Sequence, residues 1–128
     1  FFNVSEEDAV CVDAYLKSLQ AVPSPYLVNG ELSDKAREGK KVFEKLKCGD
    51  CHSGTYYTDR KMHRIGEDVE FEKGWDTPTL REVWRTAPYL FDGRAATMQE
   101  VFSIHRHGID RKVSRKEIEA LTEFVNSL

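Results

Sequence analysis

Residues 46–54, Leu46-Lys47-Cys48-Gly49-Asp50-Cys51-His52-Ser53-Gly54, decide how the rest of the chain is read. Two cysteines three positions apart with histidine directly after the second form the attachment signature of a c-type haem. Two thioethers tether the porphyrin, and the adjacent histidine is held where it can ligate iron. The rivals are a redox dithiol and half of a zinc site. A thioredoxin-like Cys-x-x-Cys belongs beside a βαβ pattern, which this sequence lacks, and zinc needs a second ligand pair at suitable spacing. Cys11, the third cysteine, has no such partner nearby, and an odd count argues against a disulfide framework. The sequence therefore predicts one covalent haem c on Cys48, Cys51 and His52.

Upstream of the motif, Ser33 predicts the cap of a helix whose apolar positions Ala36, Val42, Phe43 and Leu46 deliver the chain to Cys48. Earlier still, Ser5 with Asp8 resembles a capping box, and Ala9, Val12, Leu16 and Leu19 give residues 5–19 an amphipathic helical period that Pro23 and Pro25 end. Downstream, residues 53–76 have no sustained period and read as a loop wrapping something. Thr77-Pro78 reads as the start of a short helix through Trp84, closed by Pro88 and the Asp92-Gly93 turn. Thr97 caps a helix that carries Met98, Val101, Phe102 and His105 on one face, with His107 off it. Ser114 and Glu117 form another capping box, followed by Ile118, Leu121, Val125 and Leu128 as the buried face of a final helix. The expectation is an all-α fold with long irregular connections and no strand.

Composition narrows the function classes. The 128 residues carry a net charge of −3 with both signs interspersed, so no basic stripe suggests nucleic acid. No apolar run approaches the roughly 18 residues of a membrane span. Phe1-Phe2-Asn3-Val4 does not read as a signal peptide, so an exported protein would be represented here in mature or trimmed form.

Met62, His63, Met98, His105 and His107 are candidates for the second axial position on the iron. The helical face favours His105, which shares a stripe with Val101 and Phe102, while Met98 on that stripe reads as core packing. His63 and Met62 fall in the irregular loop, where a propionate contact or surface exposure is expected. Arg81, Arg85 and Arg94 could pair with propionates. Trp75, Trp84, Tyr56, Tyr57 and Tyr89 are expected to pack the pocket and core, and Cys11 to be a buried small apolar residue.

The chain also echoes itself: Val4, Ser5, Asp8, Tyr15, Ser18 and Leu19 match Val113, Ser114, Glu117, Phe124, Ser127 and Leu128 at a constant offset of 109 positions. Residues 1–29 are accordingly read as the closing helix of a preceding domain plus a Pro-rich linker, and residues 30–128 as the haem domain.

The order Cys48-Gly-Asp-Cys-His, Tyr57-Thr-Asp with His63-Arg-Ile-Gly66, Asp76-Thr-Pro-Thr-Leu-Arg81, Thr86-Ala-Pro-Tyr89, Asp92-Gly-Arg-Ala-Ala-Thr97 and Glu100-Val101 resembles the second haem domain of bacterial di-haem cytochrome c peroxidases and MauG proteins. That resemblance implies a cytochrome c-like fold around a haem that receives or stores electrons, while peroxide chemistry belongs to the family's first domain. In the family a distal methionine or tyrosine falls 13 positions after the Asp of Asp-Gly, and here that position is His105. The chain departs from the family pattern in having histidine there. Thr86 and Pro88 fall where the family binds an inter-domain calcium with help from another domain, and calcium is not expected of this chain alone. The resemblance further implies a periplasmic or extracellular location and a redox protein or preceding haem domain as partner. The expected function is electron transfer through a haem ligated by His52 and His105, with service in a larger peroxidase-like redox enzyme as the alternative.

Overall fold

The computed structural model describes residues 5–65 and 74–128. Phe1-Phe2-Asn3-Val4 and Gly66, used in the readings above, lie outside the described residues, as does the 66–73 part of the loop expected over 53–76. Four helices carry the architecture: α1 (Glu6–Ser18), α2 (Asp34–Lys45), α3 (Met98–Ser103) and α4 (Arg115–Asn126). Each begins where a side chain can accept a free backbone N–H. Ser5 accepts from Asp8, Ser33 from Ala36, Thr97 from Glu100 and Ser114 from Glu117, the last completed as a reciprocal capping box.

The body forms around α2 packed on α4, with α3 against α4. Leu121, Phe124, Val125 and Ala36 are at most 2% exposed, and Val42, Phe43, Val101, Phe102 and Met98 join them. At about 1.5–3 kcal/mol for each fully buried large apolar side chain, this layer is the main source of cohesion. The two helices approach so closely at Gly39 that a Cβ there would stand 1.9 Å from the Ala120 carbonyl oxygen and 2.8 Å from Phe124 Cβ.

Several expectations are corrected. Two small antiparallel pairs exist, β1 (Leu27–Val28) with β2 (Glu31–Leu32) and β3 (Met62–His63) with β4 (Trp75–Asp76). Strands of two residues are too short to show an alternating pattern. The helix expected over 77–84 is absent: Thr77 pairs its N–H and hydroxyl with the Lys61 carbonyl, and only a 3-10 turn at Val83–Arg85 follows Glu82, whose φ is 57°. A proline also disfavours helical backbone at the residue before it, here Thr77. Helix α1 forms as read but buries none of its residues, leaving Cys11 exposed rather than packed. The linker after it is fastened down: the Val22 N–H donates to Glu82 Oε1 (2.9 Å) and the Ser24 hydroxyl to the Asn126 carbonyl (2.5 Å).

Two outcomes follow for stability. Gly39→Ala gains up to about 1 kcal/mol of helix propensity, but the collision with backbone outweighs it, since overpacking costs about 1–3 kcal/mol or more. Its thermal midpoint should fall, whereas Gly49→Ala, whose Cβ meets only Phe43 Cε1 at 3.8 Å, should leave the midpoint nearly unchanged. Glu117 is held down to about 2 by the Lys45 ammonium at 2.7 Å, then by the Ser114 N–H and hydroxyl. A depressed carboxylate stabilises the fold above its unfolded pKa of about 4.3 and loses that contribution as pH falls toward the folded value. Urea midpoints measured from pH 6 to pH 2 should therefore drop less steeply in Glu117→Gln than in the wild type.

Candidate functional site

Helix α2 stops at Leu46, and Lys47 turns the chain with a left-handed φ of 58°. That reversal starts a 3-10 turn, Cys48–Asp50, in which the His52 N–H donates to the Cys48 carbonyl at 2.9 Å. The turn places Cys48, Cys51 and His52 together on the wall of a cavity of about 960 Å³, at the upper end of the range for small-molecule and cofactor sites. Phe43, Leu80, Val83, Val101, Phe102 and Val125 make its floor apolar. Trp75 and Phe91 stack at its edge with ring centroids 4.0 Å apart and 18° between planes, and Phe91 is 45% exposed.

His52 is oriented from behind. Its Nδ1 lies 3.1 Å from the Tyr57 carbonyl oxygen, and the Pro78 backbone also hydrogen-bonds the ring. Burial lowers its pKa, so the imidazole is neutral and able to donate a lone pair. Burial pushes the Cys48 thiol up to about 11 and raises Cys51 as well.

His107 lines the cavity together with His52. The two rings lie 6.3 Å apart, centroid to centroid, tilted by 54°. Burial, and then the neighbouring His52, lower the His107 pKa, giving a second neutral imidazole. His105 lines the same cavity, but it is His107 that forms the ring pair with His52. The helical-face argument does not reach either histidine, because α3 ends at Ser103 and Arg106 has a φ of 47°. His107 is instead carried inward by its N–H, which donates to the Val101 carbonyl at 3.0 Å. The sequence offered one signal for this: Gly108 so soon after a short apolar face marks a helix that has already ended.

The other candidates fall as follows. Met98 lines the cavity floor and is 6% exposed, in keeping with core packing, while Met62 is 50% exposed. His63 also lines the cavity and pairs through Nε2 with Asp59 Oδ2 at 2.7 Å. Burial works to raise the Asp59 pKa, but bonds from His63, the Lys61 N–H and Thr77 outweigh it and hold it at about 2. Of the three arginines, Arg94 lines the cavity and pairs with Asp92; Arg81 bonds the Thr55 carbonyl and Arg85 pairs with Glu82. Tyr56 is 69% exposed, so it does not pack the core. Among the described residues no group of three or more His, Cys, Asp or Glu side chains is placed to hold a metal ion.

No family model matches the chain. It is 23% identical over 159 aligned positions to cytochrome c551 peroxidase of Nitrosomonas europaea, covering all of this chain and 48% of that protein. It is 26% identical over 125 positions to the methylamine utilization protein MauG of Methylophilus methylotrophus, covering 76% of this chain and 37% of MauG. Among solved structures it superposes on hydrazine synthase of Kuenenia stuttgartiensis with a TM-score of 0.77 and 21% identity, over 97% of this chain and 56% of the other. The chain is thus related at low identity to the peroxidase and MauG proteins, and its fold is the all-α, cytochrome c-like one. It spans less than half the length of these two relatives. Among the described residues no helix is long and apolar enough to cross a membrane.

Proposed function

We propose that this chain is an electron-transfer domain holding one haem c, bound through thioethers to Cys48 and Cys51 and ligated by His52 and His107. The observation that carries the reading is the close pair of imidazoles lining one cavity. Two metal–nitrogen bonds of ~2 Å, each with about 1 Å from nitrogen to ring centre, set two ligated rings roughly 6 Å apart, and His52 and His107 stand at 6.3 Å. The apolar floor and adjacent cysteines suit a porphyrin tethered at one edge. When bound, the haem supplies reversible one-electron chemistry. His52 and His107 would hold the iron from the chain's side and the apolar lining would limit water around it, so that neither peroxide nor oxygen would find an open coordination site. Replacing the methionine of a His/Met site with histidine removes a ligand that raises potential.

The expectation for His105 as distal ligand thus passes, in this reading, to its neighbour two positions on. His107→Ala should lose the low-spin absorption of the wild type and gain carbon monoxide binding in the reduced state, while His105→Ala keeps the first and lacks the second. The reverse result would return the assignment to His105. Alkylation of the denatured protein offers a separate check: one reactive thiol, Cys11, is expected of the three cysteines. Three would sink the covalent attachment. A redox titration should place the midpoint below those of His/Met cytochromes.

A second reading adds to the first. Val12, Tyr15 and Leu16 of α1 and Leu19 just after it are exposed, and the 109-residue offset matches these to Leu121, Phe124 and Val125 of α4 and Leu128 just after it, which pack in or against the core. This supports α1 as the closing helix of a preceding domain built like this one, in a longer periplasmic or extracellular redox protein. Haem content per polypeptide of the full-length gene product, expected to exceed one, tests it; a single haem would remove the preceding haem domain.

A further inference from the structure

His52 is oriented by hydrogen bonds to the backbone of Tyr57 and of Pro78, and the Tyr57 carbonyl sits in a loop held by the segment that contains Pro78. Tyr57 has a left-handed φ of 52°. Its ring is anchored in the core, edge-on to Phe43 at 6.2 Å and Phe124 at 6.5 Å between centroids. The backbone around it is gripped by residues 77–81. Arg81 Nε donates to the Thr55 carbonyl at 3.0 Å, the Thr79 hydroxyl to the Tyr56 carbonyl at 2.5 Å, and the Thr58 hydroxyl to the Thr77 carbonyl at 2.6 Å. The Arg81 guanidinium also lies over the Tyr57 ring, 5.9 Å from its centroid.

We propose that Arg81, with Thr79, is a positioning residue for His52: by clamping the Thr55–Tyr57 backbone it sets the hydrogen bond between His52 Nδ1 and the Tyr57 carbonyl, and through it the redox potential. The inference rests on His52 being an iron ligand. An imidazole whose N–H is bound to a good acceptor is a stronger donor to its metal, and stronger donation favours oxidised iron. Loosening the clamp weakens that bond and raises the potential.

A bare electrostatic role for Arg81 predicts the opposite sign. A guanidinium near the haem disfavours oxidised iron, so removing the charge lowers the potential. The two roles therefore separate in one experiment, spectroelectrochemical titration of the haem-loaded chain and its variants at fixed pH and salt. Positioning predicts that Arg81→Gln and Arg81→Lys both shift the midpoint upward, because lysine keeps the charge but cannot reproduce the Nε–carbonyl bond and the flat stacking on Tyr57. Thr79→Val, which changes no charge, should shift it in the same direction. The low-spin spectrum should persist in all three. A downward shift in Arg81→Gln, a wild-type midpoint in Arg81→Lys, or no shift in Thr79→Val would each overturn the proposal. Colourless wild-type protein would instead overturn the haem reading itself.

Discussion

The crossing of α2 on α4 at Gly39 is the contact on which the remaining geometry depends. Because no side chain intervenes there, backbone meets backbone, and the ends of both helices are set to within the tolerance of that contact. One end of α2 delivers the cysteine–histidine turn. Val125 of α4 joins the cavity floor, and α4 in turn supports α3, whose C-terminal turn supplies the carbonyl that brings His107 inward. Both walls of the cavity are thereby referenced to a single helix pair, the kind of rigid support that holds site residues in place.

Much of this frame was legible in the amino-acid order. All four N-caps were readable as Ser5, Ser33, Thr97 and Ser114, since a short hydroxyl before an apolar period has a direct physical use at a helix start. The face of α4 was readable for the same reason: Leu121 and Val125 recur at helical spacing and are buried. Illegible were the features decided by long-range pairing. The meeting of Met62 with Asp76 depends on two residues a side, and a Thr-Pro step used to start helices starts none here, where Thr77 pairs with the Lys61 carbonyl.

At the site, the cysteines and His52 were visible because their chemistry demands fixed spacing. The opposing histidine had no such spacing rule. Periodicity extended α3 beyond its true end, and one residue with positive φ, Arg106, was enough to alter which of two nearby imidazoles meets His52. Nothing in a 3.6-residue period encodes where that period stops; a glycine downstream encodes it weakly. The exposure of α1 was likewise hidden, since an amphipathic pattern says that a face wants covering but not what covers it.

The two anchors at Val22 and Ser24 have a mechanical consequence. They pin the chain to Glu82 and Asn126, leaving Leu19, Gln20 and Ala21 as the span between the end of α1 and the fixed body. Three extended residues reach about 10 Å. The C-terminal end of α1 is therefore tethered within about that distance of the Glu82–Asn126 flank.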